Sequence, residues 1–526
     1  MNVPYCLRRA ERLHGDQVAI LHGDAKITHR EFAAKVNGSA RKLVELGARK
    51  GDRVALLMLN SPEYLDLYFS IPMTGAMIVP LNTRWHRNEF AFTLSDSGSK
   101  ILFVDDHFAN MVPQIRDALP ELKTYVFAGE GECPNGMVDW RAVRADCAVP
   151  HQFEEPHEDD VAGLFYTSGT TGGPKGAMLT HRNLYSNAIH GMLPPVSTPC
   201  DTIYLHAAPM FHLADAGAVF GLTLIGATHC FIPSFEPEST MKAIEKYRVS
   251  RTVLVPAMLN MVLNHPKFGK YDLSSLKRVV YGASPMPLPL LREAMAKLHC
   301  EFAQGYGLTE LSPLVTVLLP EDHRFEDAER QFAPVKSAGK PVVGVEVRVV
   351  DAQDQDVPVG QAGEVIARGP NVMKGYWKRP EINAEILRGG WMHTGDIGAF
   401  DEEGFLYLLD RKKDMIKTGS ENVYSPEVES AVCAHPAVLE AAVIGVPDEK
   451  WGEAVRAVVT VRTGSALNEE ELMEWCRSRL THFKCPTSVV FVESLPKGGT
   501  GKIQKTPLRE LYGGPKVGAP LKKAAT

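Results

Sequence analysis

Apolar and polar positions along the first four hundred residues fall into two rhythms. Short unbroken apolar runs have the character of strands buried on both faces, among them Arg53-Val-Ala-Leu-Leu-Met58, Lys100-Ile-Leu-Phe-Val104, Val161-Ala-Gly-Leu-Phe165, Arg251-Thr-Val-Leu-Val255 and Arg278-Val-Val-Tyr281. Between them the spacing lengthens to that of helices. Ser61-Pro62 offers an N-cap with proline in the first turn, and Tyr64, Leu65, Tyr68 and Ile71 then line one face. Strands separated by helices predict an α/β architecture with parallel sheets sandwiched by helices.

Beyond Asp410-Arg-Lys-Lys-Asp-Met415 the rhythm changes. Ser425-Pro426 reads as the cap of a helix that His435-Pro436 ends, and residues 441–444 and 455–461 read as short strands. A helix over residues 468–480 and the strand Ser488-Val-Val-Phe-Val492 complete a small α+β unit. The charged hexapeptide is the expected linker. The predicted organisation is an N-terminal domain over 1–410, a hinge at 411–413 and a C-terminal domain over 414–526.

At 526 residues the chain is long enough for two or more cores. Its composition, 44% hydrophobic and 23% charged, is globular, and a net charge of -6 argues against a general nucleic-acid binder. The nine cysteines stand singly, without C-x-x-C or metal spacing, which fits a reducing compartment. The N-terminus has no apolar h-region, and the longest apolar stretch, residues 216–227, falls short of the ~20 residues that span a bilayer. The closing Lys522-Lys-Ala-Ala-Thr526 is not a peroxisomal address. A cytoplasmic protein without a transmembrane segment is expected. The assembly carried forward as an expectation is a homodimer.

The densest chemical signal is Tyr166-Thr-Ser-Gly-Thr-Thr-Gly-Gly-Pro-Lys-Gly176. Glycines let backbone N–H groups approach an anion; the hydroxyls of Thr167, Ser168, Thr170 and Thr171 add donors around Gly169, and Lys175 adds a charge. With a strand before it and a helical pattern after it, the run reads as a strand, turn and helix cradling phosphate. It is not a Walker loop, because Pro174 stands where the second glycine belongs and Gly176 follows the lysine.

This run resembles the phosphate loop of the adenylate-forming superfamily, which includes acyl-CoA synthetases, adenylation domains and firefly-type luciferases. Further motifs follow in the family's order: Gln304-Gly-Tyr-Gly-Leu-Thr-Glu310, Trp391-Met-His-Thr-Gly-Asp396, the linker, and Thr500-Gly-Lys-Ile503. The resemblance runs from Gly51-Asp-Arg-Val-Ala55 to Lys502. It implies a large N-terminal domain, a small mobile C-terminal domain, and roles for particular residues. Tyr306, between Gly305 and Gly307, would lie against adenine, Thr309 would contact phosphate, and Glu310 would hold Mg²⁺. Gly282, Ala283 and Ser284 would close over adenine and the substrate carboxylate. Asp396 would take the ribose hydroxyls, Arg411 would reach ribose and phosphates, and Lys413 would be the pivot. Lys502 would bond the carboxylate and α-phosphate during adenylation. His212, in Pro209-Met-Phe-His-Leu213, would gate an acyl pocket walled by Ala214, Ala216, Gly217, Ala218 and Gly221 and interrupted by Asp215. Gly419, Ser420 and Glu421 would lie on the CoA side. Two positions depart from the usual pattern: Lys497 replaces an arginine, and Ser420 a glycine.

The implied enzyme is an acyl-CoA synthetase using ATP, Mg²⁺, CoA and a small carboxylic acid. A medium- or long-chain fatty acid is the first expectation for that acid, and an aryl or cinnamic-type acid the second. The rivals are a ligase loading a separate carrier protein, a luciferase-like oxygenase and a non-catalytic nucleotide binder.

Overall fold

The computed structural model describes residues 1–144, 153–167, 174–193, 196–326, 328–330, 332–419, 421–497 and 503–514. The chain divides into two compact units. The larger comprises Met1–Arg348, Ile366–His393 and Glu403–Leu406; the smaller comprises Val349–Val365, Thr394–Glu402 and residues from Tyr407 onward.

The larger unit is built on two sheets whose central strands are parallel. In the eight-stranded sheet, Gly375–Tyr376, Lys175–Thr180, Val161–Thr167, Met77–Pro80, Arg53–Leu57, Ile101–Val104, Thr124–Phe127 and Val138–Asp139 lie side by side in that order. The nine-stranded sheet has Arg278–Gly282 and Glu301–Gly307 as parallel neighbours, then turns antiparallel at Leu314–Leu318. The apolar runs predicted as strands are these strands. Val54, Ala55, Leu56 and Leu57 are buried to the last atom, as two-sided coverage by helices requires. The helix Pro62–Met73 begins as its sequence predicts, with Ser61 Oγ accepting from Tyr64 N at 3.1 Å.

The smaller unit holds a long antiparallel hairpin, Val438–Asp448 with Gly452–Val461, joined in parallel by Ser488–Phe491. Val443, Val455, Ala457 and Val459 pack there against Val428 and Val432 of the helix Ser425–Cys433 and Leu472 and Cys476 of the helix Glu469–Arg477. The two short strands expected here are therefore longer and continuous. Ser425 is not a cap: it is the helix's first residue, and its hydroxyl donates to Asp410 Oδ2 at 2.7 Å. No helix among the described residues is long and apolar enough to cross a membrane.

Candidate active site

Strands Val161–Thr167 and Lys175–Thr180 pair antiparallel, with Thr167 opposite Lys175 across the glycine-rich loop. Ser168, Gly169, Thr170 and Thr171 lie outside the described residues. The expected order of strand, turn and helix is corrected: the loop closes a β-hairpin, and the helix His181–His190 starts only after the second strand. Ala177-Met-Leu-Thr180 has the apolar, extended character of a strand, so the chain crosses the sheet before it coils. The helix's first amides are already met: Asn183 N donates to the capping-box Thr180 Oγ1, and His181 N and Arg182 N donate to Asp160 O and Glu158 O. No helix N-terminus therefore stands directly after this loop.

Lys175 Nζ stands 5.7 Å from the ring centroid of Tyr376, whose hydroxyl donates a short hydrogen bond to Glu310 Oε1. Tyr376 lies on the edge strand paired with the hairpin, opposite Ala177, and Met373 N donates to Glu310 O at 2.9 Å. One aromatic side chain therefore joins the loop lysine to the carboxylate at the end of the other sheet. Sequence reasoning missed Tyr376; the available signal was the aromatic pair Tyr376-Trp377 set between polar residues. It also missed Asp96, which accepts from Tyr166 Oη at 2.7 Å and Arg379 at 3.0 Å and so steadies the hairpin from behind.

The first four residues of the Gln304–Glu310 motif are the end of the strand Glu301–Gly307, and its last two lie in the turn that follows. Gly282 pairs with Gly305 on the neighbouring strand. A Cβ on Gly282 would stand 2.3 Å from Gly305 O, and one on Gly307 would stand 1.6 Å from Pro313 O. Both positions demand glycine because backbone runs against backbone. Ala283 follows with φ of 63°, a left-handed conformation that turns Ala283 and Ser284 out of the strand, both half-buried. Tyr306 is buried opposite Thr316, and Thr309 opens the single 3₁₀ turn that presents Glu310.

Glu310 is 9% exposed, and no group of three or more His, Cys, Asp or Glu side chains able to hold a metal occurs among the described residues. A lone, oriented carboxylate does not make a protein cage. It fits Mg²⁺, which keeps several waters and takes the rest of its oxygens from substrate phosphates.

His212 caps the helix Leu213–Ile225, its Nδ1 accepting from Ala214 N at 3.1 Å. Asp215, expected to interrupt an apolar wall, is instead part of a fully buried polar chain. Its carboxylate meets Tyr204 Oη at 3.1 Å and His206 Nδ1 at 2.6 Å; His206 Nε2 meets His229 Nδ1 at 2.9 Å, and His229 Nε2 meets Thr223 Oγ1 at 3.1 Å. The helix is thus tied near both its ends to two adjacent strands, Ile203–His206 and Thr228–Phe231. Burial and the neighbouring His206 hold the His229 pKa well below the ordinary value. Gly217 and Gly221 give close packing rather than room, since a methyl group would meet Pro313 Cδ at 2.7 Å and Ala188 O at 3.0 Å respectively. Ala214 and Ala218 keep partly exposed faces, whereas Ala216 is buried.

In the smaller unit, Asp396 is buried on the strand Met392–Phe400, and its carboxylate pairs with Arg411 Nε at 2.6 Å. Lys412, bonded to Glu364 at 2.9 Å and to Gly395 O at 2.8 Å, fixes the segment that brings Arg411 there. Lys413 follows, exposed, in a turn. Gly419 has φ of 65° and donates to Trp451 O at 2.7 Å, and Glu421 is exposed on the next strand. Ser420 and Lys502 lie outside the described residues.

Residues 7–377 match the family model of the AMP-binding enzymes, and residues 427–502 match the C-terminal domain of AMP-binding enzymes. The chain is 40% identical over 513 residues to a feruloyl-CoA synthase of Amycolatopsis sp, covering 96% of this chain and 98% of that one. It is 37% identical over 497 residues to the long-chain-fatty-acid–CoA ligase FadD13 of Mycobacterium tuberculosis, covering 93% and 94%. Its fold matches the o-succinylbenzoate-CoA synthetase MenE of Bacillus subtilis, solved with ATP and magnesium, with a TM-score of 0.83 at 30% identity over 96% of this chain and 99% of that one. The chain belongs to the AMP-binding enzyme family, in its acyl- and aryl-CoA ligase branch.

Proposed function

We propose that this protein is an AMP-forming acid–thiol ligase acting on an apolar carboxylic acid, fatty or aryl. The reading rests chiefly on the linkage of Lys175, Tyr376 and Glu310, which aligns a phosphate-loop cation with a lone carboxylate beside the paired glycines 282 and 305. A carboxylate is a poor electrophile until its oxygen is esterified. In the first half-reaction a carboxylate oxygen attacks the α-phosphorus of ATP and the bond to the pyrophosphate oxygen breaks, giving acyl-AMP. In the second, the CoA sulfur attacks the acyl carbon, the thiol proton is lost, and AMP leaves. The first step brings two anions together, so cations and N–H donors aimed at the crowded phosphate carry most of the catalysis.

In this scheme the loop of Thr167, Ser168, Gly169, Thr170, Thr171 and Lys175 cradles the β- and γ-phosphates. Mg²⁺, when bound, neutralises phosphate charge, with Glu310 as its protein ligand. Tyr306 lies on adenine, Gly282, Ala283 and Ser284 edge the base and the acid, and Thr309 touches phosphate. Asp396 binds the ribose hydroxyls and is held in place by Arg411. Lys502 bridges carboxylate and α-phosphate. Turning the small unit about Lys413 then exchanges Lys502 for Gly419, Ser420 and Glu421, which receive CoA. His212 borders the acyl group. The test is AMP release from ATP and Mg²⁺, with and without CoA, across carboxylic acids of graded length and aromaticity. CoA-dependent AMP with acyl-CoA as product is expected; acyl-AMP that accumulates and ignores CoA would instead mark a carrier-protein ligase. Lys502→Ala should lower the adenylation rate roughly 10²- to 10³-fold, the loss typical of removing one donor to a developing charge.

A further inference from the structure

A chain of hydrogen bonds runs through the smaller unit from the ribose motif to the last helix. Arg411 Nε pairs with Asp396 Oδ1 at 2.6 Å, and the backbone N of Arg411 donates to Asp410 Oδ1 at 2.7 Å. The other oxygen of that carboxylate, Asp410 Oδ2, accepts from both the backbone N and the hydroxyl of Ser425, each at 2.7 Å. Ser425 opens the helix Ser425–Cys433 and is fully buried, and its hydroxyl accepts in turn from Lys505 Nζ. Lys505 is also paired with Glu429, one turn along the same helix, at 2.7 Å. Carboxylate, hydroxyl and ammonium thus follow one another in the order that their protons allow.

Where this chain ends matters first. Lys505 starts the helix Lys505–Tyr512, three residues after Lys502, so the α-carbons of the two lysines are at most about 11 Å apart. Leu508 seats that helix, buried with Ile444 and Val458 of the long hairpin. Just before it, Ile503 pairs with Lys497, and Gln504 N donates to Pro496 O at 2.8 Å. What the chain crosses matters as much. Asp410 precedes Lys413 in the sequence, whereas Ser425 and Lys505 follow it. A backbone turn at Lys413 therefore draws Asp410 Oδ2 away from both Ser425 donors, at the loss of two hydrogen bonds to a carboxylate at a helix N-terminus. The segment given to CoA is fastened elsewhere: Lys417 N donates to Glu453 Oε2 and Gly419 N to Trp451 O, each at 2.7 Å.

We propose that Asp410, Ser425 and Lys505 are positioning residues, a latch that holds Lys502 in its adenylation arrangement and opens when the small unit turns to receive CoA. The inference rests on the ligase reading. While closed, the latch ties the segment after Lys502 to the same Asp396 and Arg411 that the ligase reading gives to the ribose, so lysine and nucleotide are registered together. When it opens, Lys505 keeps Glu429 as its partner, and no buried ammonium is stranded.

The test measures the two half-reactions separately: pyrophosphate release from ATP, Mg²⁺ and acid without CoA, and acyl-CoA formation from supplied acyl-AMP and CoA, with cinnamic or decanoic acid as the acyl source. Ser425→Ala and Asp410→Asn should each lower the first rate roughly 10- to 100-fold and leave the second unchanged or faster. The ratio of the two rates, taken in one preparation, does not depend on how much of the variant folds. Lys484→Ala, which breaks an ion pair with Glu427 on the same helix but outside the chain of bonds, should change neither rate. Limited trypsin digestion adds a readout without turnover. Cleavage after Arg411, Lys412 or Lys413, identified by fragment mass, should be faster in both latch variants than in the wild type. Equal falls in both half-reactions, unchanged adenylation or unchanged cleavage would overturn the latch while leaving the ligase intact. A wild type that forms no acyl-AMP across the graded acids would overturn the ligase reading and the latch with it.

Discussion

At the scale of single residues, much of the chemistry is set by side chains that hold other side chains. Tyr376 orients Glu310, Asp96 steadies Tyr166, and Arg411 occupies one oxygen of Asp396. Tyr376→Phe keeps the ring near Lys175 and removes only the hydrogen bond to a carboxylate. It should lower kcat/KM for ATP roughly 10- to 100-fold, with a weaker response to Mg²⁺ concentration, measured by initial AMP release. An unchanged rate would show that the bond has no part in the ATP half-reaction. The chemistry-bearing residues of the candidate site were legible because they stand in ordered runs of glycine, hydroxyl and charge. Tyr376, Asp96 and the buried Asp215 chain were not. Each acts through a partner 66, 70 or 9 positions away, a pairing that only the fold creates.

At the scale of elements, strands and helices emerged from apolar spacing wherever both sheet faces are covered, as at Arg53–Leu57 and Ile101–Val104. Spacing failed where a local pattern suits two structures. The residues after Lys175 read as the approach to a helix but form a second strand, because pairing with Val161–Thr167 continues across the loop. Ser425 reads as a cap but bonds Asp410, a contact set by tertiary packing. The helix Leu213–Ile225 supplies a test at this scale. Asp215→Asn keeps the shape but replaces one carboxylate oxygen with an amide NH2 facing a tyrosine hydroxyl or an imidazole. It should destabilise the protein by about 1–3 kcal/mol in urea unfolding. If the chain also positions His212, the variant should raise KM for the acid more than KM for ATP; a loss confined to stability would limit Asp215 to a structural role. Gly307→Ala should be worse than Gly404→Ala, because a Cβ meets Pro313 O at 1.6 Å in the first case, whereas the second meets open space and bears only the strain of a φ of 81°. Soluble yield and adenylation together would register the difference.

At the scale of the whole molecule, the buried neutral histidines set the acid limit of stability. Burial holds His181 and His190 down to about 4, below the 6.5 of an exposed imidazole, and lowers His29 and His229 as well. His181 Nδ1 accepts from Val3 N at 3.3 Å, which requires the unprotonated ring nitrogen. Between pH 6.5 and 4 the unfolded chain binds protons that the folded chain refuses, so stability should fall as pH drops through that window. At pH 5 each of the two should cost about 2 kcal/mol relative to neutral pH. The urea midpoint at pH 5 should accordingly lie well below that at pH 7.5, and a flat profile would show the rings to be charged or solvated when folded. The central claim, that the acid is activated as an adenylate, has a more direct test in isotope transfer. With an acid labelled with ¹⁸O in both carboxylate oxygens, ATP, Mg²⁺ and CoA, one label atom should appear in each AMP released, because the attacking oxygen stays on the α-phosphorus when thiol displaces it. Label found in inorganic phosphate, with ADP as the nucleotide product, would mean an acyl phosphate and would contradict the account.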